Sequence, residues 1–189
     1  EKIAVFGDYD VDGITSTCLL TDFLRRHGAD CISYIPGRLE EGYGLNVAAI
    51  QSLYDDGCRL LITVDSGITA EEEAVFAKEL GLRLIITDHH ECKEKLPDAV
   101  AVVNPRRMDS EYPFRELAGV GVAFKVICAL EKDRPIADLL KEYADVVAVG
   151  TIADVMPLVE ENRIIVSYGL NYLQHTKNYG LKALMQKLG

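Results

Sequence analysis

Seven side chains that can bind metal follow three short apolar runs of the chain. They are Asp8, Asp10, Asp12, Asp65, Asp88, His89 and His90. The first three stand at alternate positions, and carboxylates held so close repel one another unless some keep a proton or a multivalent cation lies among them. Oxygen and imidazole ligands at the ends of three strand-like runs predict a metal site, and an oxygen-rich set favours Mg or Mn over Zn.

A calcium-binding loop is the first alternative, because the segment 8–13 matches the opening of the EF-hand pattern. That loop requires a Glu six positions after its Gly, which here is Gly13. The chain has Leu19 at that position, and the segment before Asp8 has the pattern of a strand where an EF-hand needs a helix. The sequence therefore excludes an EF-hand.

Alternating strand and helix patterns surround these residues. We predict strands over 3–8, 31–35, 60–65, 82–88 and 99–103. We predict helices over 13–27, from an Asn46 cap to 56, after a Thr69 cap, and over 119–130, 136–150 and 162–174, with a further helical pattern over 181–189. Such alternation indicates an α/β fold with a mostly parallel sheet. Because parallel sheets place their sites beyond the carboxyl ends of the strands, the distant ligands can converge.

The helices after residue 105 predict a flank that covers one side of the sheet. We expect one domain over 1–189, with the sheet core in 1–105 and the mainly helical flank in 106–189. The flank contains Asp154, the one charged residue in an apolar stretch before Pro157. A charge there is capped, paired or metal-bound, and spacing alone leaves a ligand and a helix-end cap equally open.

Several residues are candidates for contact with a substrate. The Gly119-Val120-Gly121 sequence lacks the third Gly of the dinucleotide fingerprint, because Phe124 stands there. A helix beginning at these glycines can receive a phosphate, although a tight loop explains them equally well. Basic, amide and aromatic side chains in nearby loops complete the set of candidates: Arg38, Tyr43, Asn104 and Arg106.

Composition limits the classes of function. The formal net charge is −10, which argues against a domain that grips nucleic acid with a broad basic face, although two divalent cations would bring it to −6. The five cysteines include no CxxC pair and favour reduced thiols and a cytoplasmic location. A zinc site that includes Cys92 remains an alternative. No apolar run approaches the length of a membrane span.

Four segments together resemble the motifs of the DHH phosphoesterase superfamily. They are Asp8-Tyr9-Asp10-Val11-Asp12-Gly13, Thr63-Val64-Asp65-Ser66-Gly67, Thr87-Asp88-His89-His90 and Gly150-Thr151-Ile152-Ala153-Asp154. Three more are similar to the RecJ exonuclease subfamily: Glu41-Gly42-Tyr43-Gly44-Leu45, the segment 117–125, and Glu161-Asn162-Arg163. The resemblance spans nearly the whole chain.

This resemblance implies two divalent cations, Mn²⁺ foremost and Mg²⁺ as the second choice. Asp65 would bridge them, Asp10 with the help of Asp8 would hold the first, and Asp12, His89 and Asp154 would hold the second. His90 would donate to the substrate or protonate the leaving group, and Asp88 would orient a neighbouring His. The expected activity is removal of 5′ mononucleotides from single-stranded DNA in repair and recombination.

The resemblance also implies a second small domain and an OB-fold domain after this region. Through them we expect contacts with single-strand-binding protein and helicase. A phosphodiesterase of short oligonucleotides or cyclic dinucleotides is the alternative enzyme; a pyrophosphatase is disfavoured, because Phe6 and Asp8 stand where such members have a His. A partner-binding module that retains metal without cleavage is the alternative of another class.

Overall fold

The structure is a computed structural model that describes residues 1–37, 42 and 44–188. Predictions for Arg38 and Tyr43 lie outside the described residues. Within these described ranges, five strands and seven helices follow one another: β1 (Lys2–Phe6), α1 (Val11–Arg26), β2 (Cys31–Tyr34), α2 (Val47–Asp55), β3 (Cys58–Val64), α3 (Glu71–Leu80), β4 (Arg83–Thr87), β5 (Ala101–Val103), α4 (Gly119–Leu130), α5 (Ile136–Ala153), α6 (Glu160–Leu173) and α7 (Tyr179–Leu188).

The strands form one parallel sheet in the order β2-β1-β3-β4-β5. This confirms the predicted α/β fold with a parallel sheet. The chain leads from β1 to β2 at one edge of the sheet and from β3 to β4 toward the other edge. The strand order therefore reverses between the neighbouring strands β1 and β3. In open α/β sheets such a reversal leaves a crevice beyond the carboxyl ends of the strands, where ligands bind. The segments that follow β1 and β3 therefore border this crevice.

Alternate residues of β1 enter two separate cores. Val5 packs with Phe124 and other residues of α1, α4, α5 and α6 on one face of the sheet. Phe6 on the other face packs with Ile50 and other residues of α2 and α3. Full burial of a side chain of this size stabilises the fold by about 1.5–3 kcal/mol. The helices after residue 105 thus cover one face, as predicted.

The helix starts show where local sequence decides the structure. The predicted Asn46 cap of α2 is confirmed, since the Ala49 N–H donates to the Asn46 side chain at 2.8 Å. The predicted Thr69 cap is wrong: α3 follows Ala70 and has no side-chain cap. Three glutamates begin that helix, and their charges at the positive helix end compensate for the missing cap. None of the helices in the described ranges is long and apolar enough to cross a membrane.

Candidate metal centre

His89 lies at the centre of a group of carboxylates beyond the carboxyl ends of β1, β3 and β4. Its Nε2 lies 3.1 Å from Asp65 Oδ1, 3.7 Å from Asp154 Oδ2 and 3.8 Å from Asp12 Oδ2. The His89 side chain is only 7% exposed. Residues separated by more than 140 positions in sequence therefore meet at one buried imidazole nitrogen.

Three groups of possible ligands adjoin one another in this crevice. Within each group the ligand atoms lie within 4.8 Å of one another. The groups are Asp8, Asp10 and Asp65; Asp12, His89 and Asp154; and Asp65, His89 and His90. Asp65 belongs to two of them, so it stands between the carboxylates that follow β1 and the two histidines that follow β4.

Buried polar atoms without partners show that these residues suit a cation. Among the described residues, neither ring nitrogen of His89 nor Asp65 Oδ1 has a hydrogen-bond partner. The 3.1 Å contact between Nε2 and Oδ1 is short, but its geometry is not that of a hydrogen bond. A buried polar group left without a partner costs about 1–3 kcal/mol. Coordination of a cation by these atoms would remove that cost, so the donor set fits a divalent metal.

The acidity of the buried carboxyls indicates the same kind of ligand. Burial, followed by repulsion from Asp65, raises the pKa of Asp12 to about 8. Burial, followed by repulsion from Asp10, raises the pKa of Asp65 to about 8. Burial also raises the pKa of Asp8. A divalent cation between these groups would reverse the effect, because an opposite charge favours the ionised carboxylate.

Asp12 is held by the N-terminus of α4. The Gly119 N–H donates to Asp12 Oδ2 at 2.6 Å, and the Val120 N–H donates to Asp12 Oδ1 at 2.8 Å. Backbone N–H groups at a helix start attract anions, and here the anion is a side chain of the same chain. Asp12 therefore takes the N–H groups of Gly119 and Val120, which leaves phosphate binding at Gly119 and Gly121 a prediction that this contact disfavours.

Gly119 also permits a close approach to Asp65. A Cβ on Gly119 would lie 2.5 Å from Asp65 Cβ and 2.6 Å from Asp65 Oδ1. Only a residue without a side chain lets α4 begin this close to both carboxylates. Sequence reasoning missed this role, although the glycine at the helix start was the available signal.

The backbone at Asp65 is itself unusual. Its φ is 56°, in the left-handed region that residues other than glycine seldom adopt. The Thr63 hydroxyl donates to the Ser66 carbonyl at 2.8 Å and supports the turn. Strain of this kind costs about 1–3 kcal/mol and persists where the surrounding structure fixes it, commonly at functional sites.

Asp88 is saturated by hydrogen bonds and orients His90. Its Oδ1 accepts from the His89 N–H and from His90 Nδ1, each at 2.7 Å, and its Oδ2 accepts from the Ile68 N–H at 2.9 Å. Burial would raise the pKa of Asp88, but these hydrogen bonds, above all the one from His90, lower it. Asp88 thus remains an ionised acceptor beneath the two histidines.

His90 differs from His89 in exposure and charge. Its side chain is 44% exposed, and the hydrogen bond to Asp88 is the main cause that raises the pKa of His90 to about 9. Such a pKa favours the protonated imidazole at neutral pH. A protonated, solvent-facing imidazole is suited to donate to a substrate.

Asn104 and Arg106 are engaged within the chain. The buried Asn104 donates to the His90 carbonyl at 2.9 Å and accepts from the Arg106 N–H at 2.8 Å. The Arg106 guanidinium pairs with Glu91 and with Glu116. Both residues therefore stabilise the loop beside His90, and the charge of Arg106 is balanced by two carboxylates.

Asp154 follows the last residue of α5 and serves as its C-cap. The cap bonds come from its backbone N–H, which donates to the Gly150 and Ile152 carbonyls, while its carboxylate lies near His89, so the ligand role stays a prediction. Cys92 belongs to none of the possible metal-ligand groups in the described part of the chain. Burial raises the pKa of its thiol, which disfavours a thiolate ligand.

Comparison with known proteins places this geometry in a family. The model described as "DHH family, N-terminal domain" matches residues 2–151. The single-stranded-DNA-specific exonuclease RecJ of Bacillus subtilis (strain 168) is 50% identical over 189 residues, which are 100% of this chain and 23% of that protein. The corresponding RecJ of Salmonella typhimurium (strain LT2) is 43% identical over 98% of this chain and 34% of that protein. The chain thus spans about a quarter to a third of the length of these curated relatives.

A solved structure has the same architecture over the whole chain. The crystal structure of exonuclease RecJ bound to manganese is 39% identical, with a TM-score of 0.88 over 100% of this chain and 48% of that one. The family model, which matches well over half of the residues, and this shared fold agree with the DHH-type motifs after β1, β3 and β4. The chain belongs to the DHH family.

Proposed function

We propose that this chain is the catalytic region of a two-cation phosphodiesterase that removes nucleotides from the 5′ end of single-stranded DNA. The observation that carries the proposal is the position of Asp65, whose carboxylate belongs to two adjoining groups of possible ligands. Two-metal sites place their cations about 3.5–4 Å apart, a separation that one bridging carboxylate can span. The names of the RecJ relatives support the choice of single-stranded DNA.

The ligands divide into two sets around that bridge. Asp8 and Asp10 would hold the first cation, and Asp12, His89 and Asp154 would hold the second. Manganese is the first choice, because the structural relative contains it, and magnesium is the second. When bound, such a pair of cations supplies the Lewis acidity that phosphodiester hydrolysis requires.

The remaining residues of the centre would orient groups and move a proton. His90 is partly exposed beside the ligands, and Asp88 holds its Nδ1, so its other ring nitrogen would donate to a phosphate oxygen or to the leaving oxygen. Asp88 would hold the His90 ring through Nδ1 and so aim its other nitrogen. The N-terminus of α4 would keep the Asp12 carboxylate fixed against the attraction of the cation.

Contacts with DNA and with partner proteins would also involve regions of the relatives that lie outside the part matched by this chain. We propose 1–189 as one catalytic unit, with the sheet core in 1–105 and the helical flank in 106–189. The net charge of −10 gives the unit little general attraction for DNA. Contacts with single-strand-binding protein or helicase would depend on further domains of the whole protein.

The test is nucleotide release from single-stranded DNA by this chain with Mn²⁺. The substrate is 5′-phosphorylated and labelled at the 5′ end, with a 3′-labelled copy, a duplex copy and a dinucleotide as comparisons. Release of labelled mononucleotide from the 5′ end of the single strand, abolished by Asp65→Ala, is the expected result.

Other outcomes select the alternatives. Cleavage of the dinucleotide but not of longer DNA would indicate a phosphodiesterase of short oligonucleotides. Bound Mn²⁺ with no cleavage of any substrate would indicate a non-catalytic module, and absence of Mn²⁺ binding would contradict the proposed centre itself.

A further inference from the structure

The segment that carries Asp154 is supported differently from the other ligand segments. It is the turn 154–159 between α5 and α6, outside the sheet. Val155 and Glu160, at either end of it, have φ values of 57° and 41°, in the left-handed region. Val155 is 86% exposed, and Leu158 and Val159 are also exposed. Met156 packs against the core formed by α1, α4, α5 and α6, and the exposed remainder of this strained turn needs specific bonds to keep one shape.

Asn162 provides such bonds from the first turn of α6. Its side chain is buried, and Nδ2 donates to the Pro157 carbonyl at 3.0 Å and to the Glu116 carbonyl at 2.5 Å. Pro157 lies three residues after Asp154. Glu116 lies three residues before Gly119, whose N–H holds Asp12. One amide group thus links the turn of Asp154 to the loop that leads to the support of Asp12.

The neighbouring residue Glu161 strengthens this link. It accepts from the Tyr112 hydroxyl at 2.7 Å and pairs with Lys125 Nζ at 2.5 Å. Tyr112 belongs to the same loop as Glu116, and Lys125 belongs to α4. Glu161 on α6 therefore binds the chain both before and after Glu116. The Glu116 carbonyl is thus a fixed acceptor for the Asn162 amide, which in turn holds the turn at Pro157.

We propose that Asn162 is a positioning residue of the metal centre, which sets the place of Asp154 relative to Asp12 and His89. The inference rests on the proposed two-cation function. It deepens that function because it makes the Asn162 amide responsible for the position of one proposed ligand of the second cation. Asn162 acts through Asp154 and is not itself proposed as a ligand. Substitution of residues that orient metal ligands commonly lowers metal affinity 10–100-fold, and we expect a loss of about that size when Asn162 is replaced.

The test is Mn²⁺ titration by calorimetry of the wild-type chain and of Asn162→Leu and Asn162→Asp. Both variants keep the approximate volume and remove the N–H donors. We expect one of the two Mn²⁺ sites to weaken about 10–100-fold while the other, made by Asp8, Asp10 and Asp65, keeps its affinity. Asn171→Leu is the matched control, because Asn171 lies on the same helix and donates to a backbone carbonyl, but is exposed. It should leave both sites unchanged.

A double-mutant cycle with Asp154→Asn separates positioning from a general structural effect. If Asn162 acts through Asp154, Asn162→Leu should cause no further loss of Mn²⁺ affinity in the Asp154→Asn background. Additive losses, or equal weakening of both sites, would overturn the inference. If Asn162→Leu does not fold, Asn162→Ser, which retains a donor but has a shorter reach, gives the same comparison. Failure of wild type to bind Mn²⁺ would instead reject the proposed function.

Discussion

The candidate metal centre joins two regions that hold their possible ligands by different means. Asp8, Asp65 and His89 follow three adjacent strands, whose spacing is fixed by the backbone ladder of the sheet. Asp154 follows a helix, in an exposed turn outside the sheet. The sheet therefore brings its ligands together as a consequence of the fold. The fourth segment reaches the same point only through packing and side-chain bonds.

Helix dipoles make the contrast sharper. The Asp12 carboxylate lies at the N-terminus of α4, where backbone N–H groups stabilise a negative charge. Asp154 lies at the C-terminus of α5, where the dipole opposes a negative charge. The N-terminus of α4 thus offsets part of the cost of burying the Asp12 carboxylate, whereas the C-terminus of α5 adds to the cost of a charge on Asp154. Substitutions in the two regions should therefore affect stability and metal binding in different proportions.

The largest effect is expected where the sheet ligands meet α4. Gly119→Ala places a methyl group against the Asp65 carboxylate, so the helix start or the ligand has to move. We expect a loss of about 1–3 kcal/mol in the free energy of unfolding and a fall of about 100-fold in Mn²⁺ affinity. Urea denaturation and calorimetric titration measure the two quantities.

Gly121→Ala is the matched control for that change. The nearest neighbour of its Cβ would be the Leu117 side chain, at 3.2 Å, and alanine favours the helix by about 0.5–1 kcal/mol over glycine. We expect stability to change by less than about 1 kcal/mol and Mn²⁺ affinity to stay the same. Equal effects of the two substitutions would show that Gly119 has no special relation to the ligands.

The sheet and its carboxyl-end ligands were predictable from the sequence, because apolar runs followed by Asp or His identify parallel strands and their functional edge. The support of the ligands was not. The bonds from Gly119 to Asp12 and from Asn162 to Pro157 join residues far apart in sequence or buried among loops, and no periodic pattern marks them. The Thr69 cap failed for a related reason: a favourable residue type does not fix which residue begins a helix.

A second comparison replaces one ligand in each region with a neutral side chain. Asp65→Asn removes a carboxyl whose pKa is raised by burial and repulsion. We expect the metal-free variant to be more stable than wild type by about 1–3 kcal/mol at pH 8, although it no longer binds Mn²⁺ with high affinity.

Asp154→Asn removes a partly exposed charge from a helix C-terminus and should stabilise the metal-free chain by only about 0.3–1 kcal/mol. Thermal unfolding in the presence of a chelator measures both variants. A smaller gain from Asp65→Asn than from Asp154→Asn would contradict the view that the buried, sheet-borne carboxylates carry most of the repulsion.

Cation binding should release protons from the buried carboxyl groups of Asp12 and Asp65. The pKa values of Asp12 and Asp65 are raised from 3.8 to about 8. Their contribution to the stability of the metal-free fold is fully present below pH 4 and is lost as the pH rises through 8. Cations have to displace these protons, so Mn²⁺ affinity should rise between pH 6 and about 8. Titration in buffers of different ionisation enthalpy counts the protons, and affinity independent of pH would contradict the assignment.

A small effect on metal binding is expected from a substitution at Val155, in the turn that follows Asp154. Val155 is β-branched and has a φ of 57°, while its side chain is 86% exposed and so contributes little to the core. Glycine adopts this conformation without the steric cost, and that gain exceeds the entropy it adds to the unfolded chain. We expect Val155→Gly to raise stability by about 1 kcal/mol in thermal unfolding. Because Asn162 still holds Pro157, Mn²⁺ affinity should change less than in Asn162→Leu. Lower stability would show that Val155 stabilises the turn, and a large loss of affinity would show that backbone strain, more than the Asn162 amide, keeps Asp154 in place.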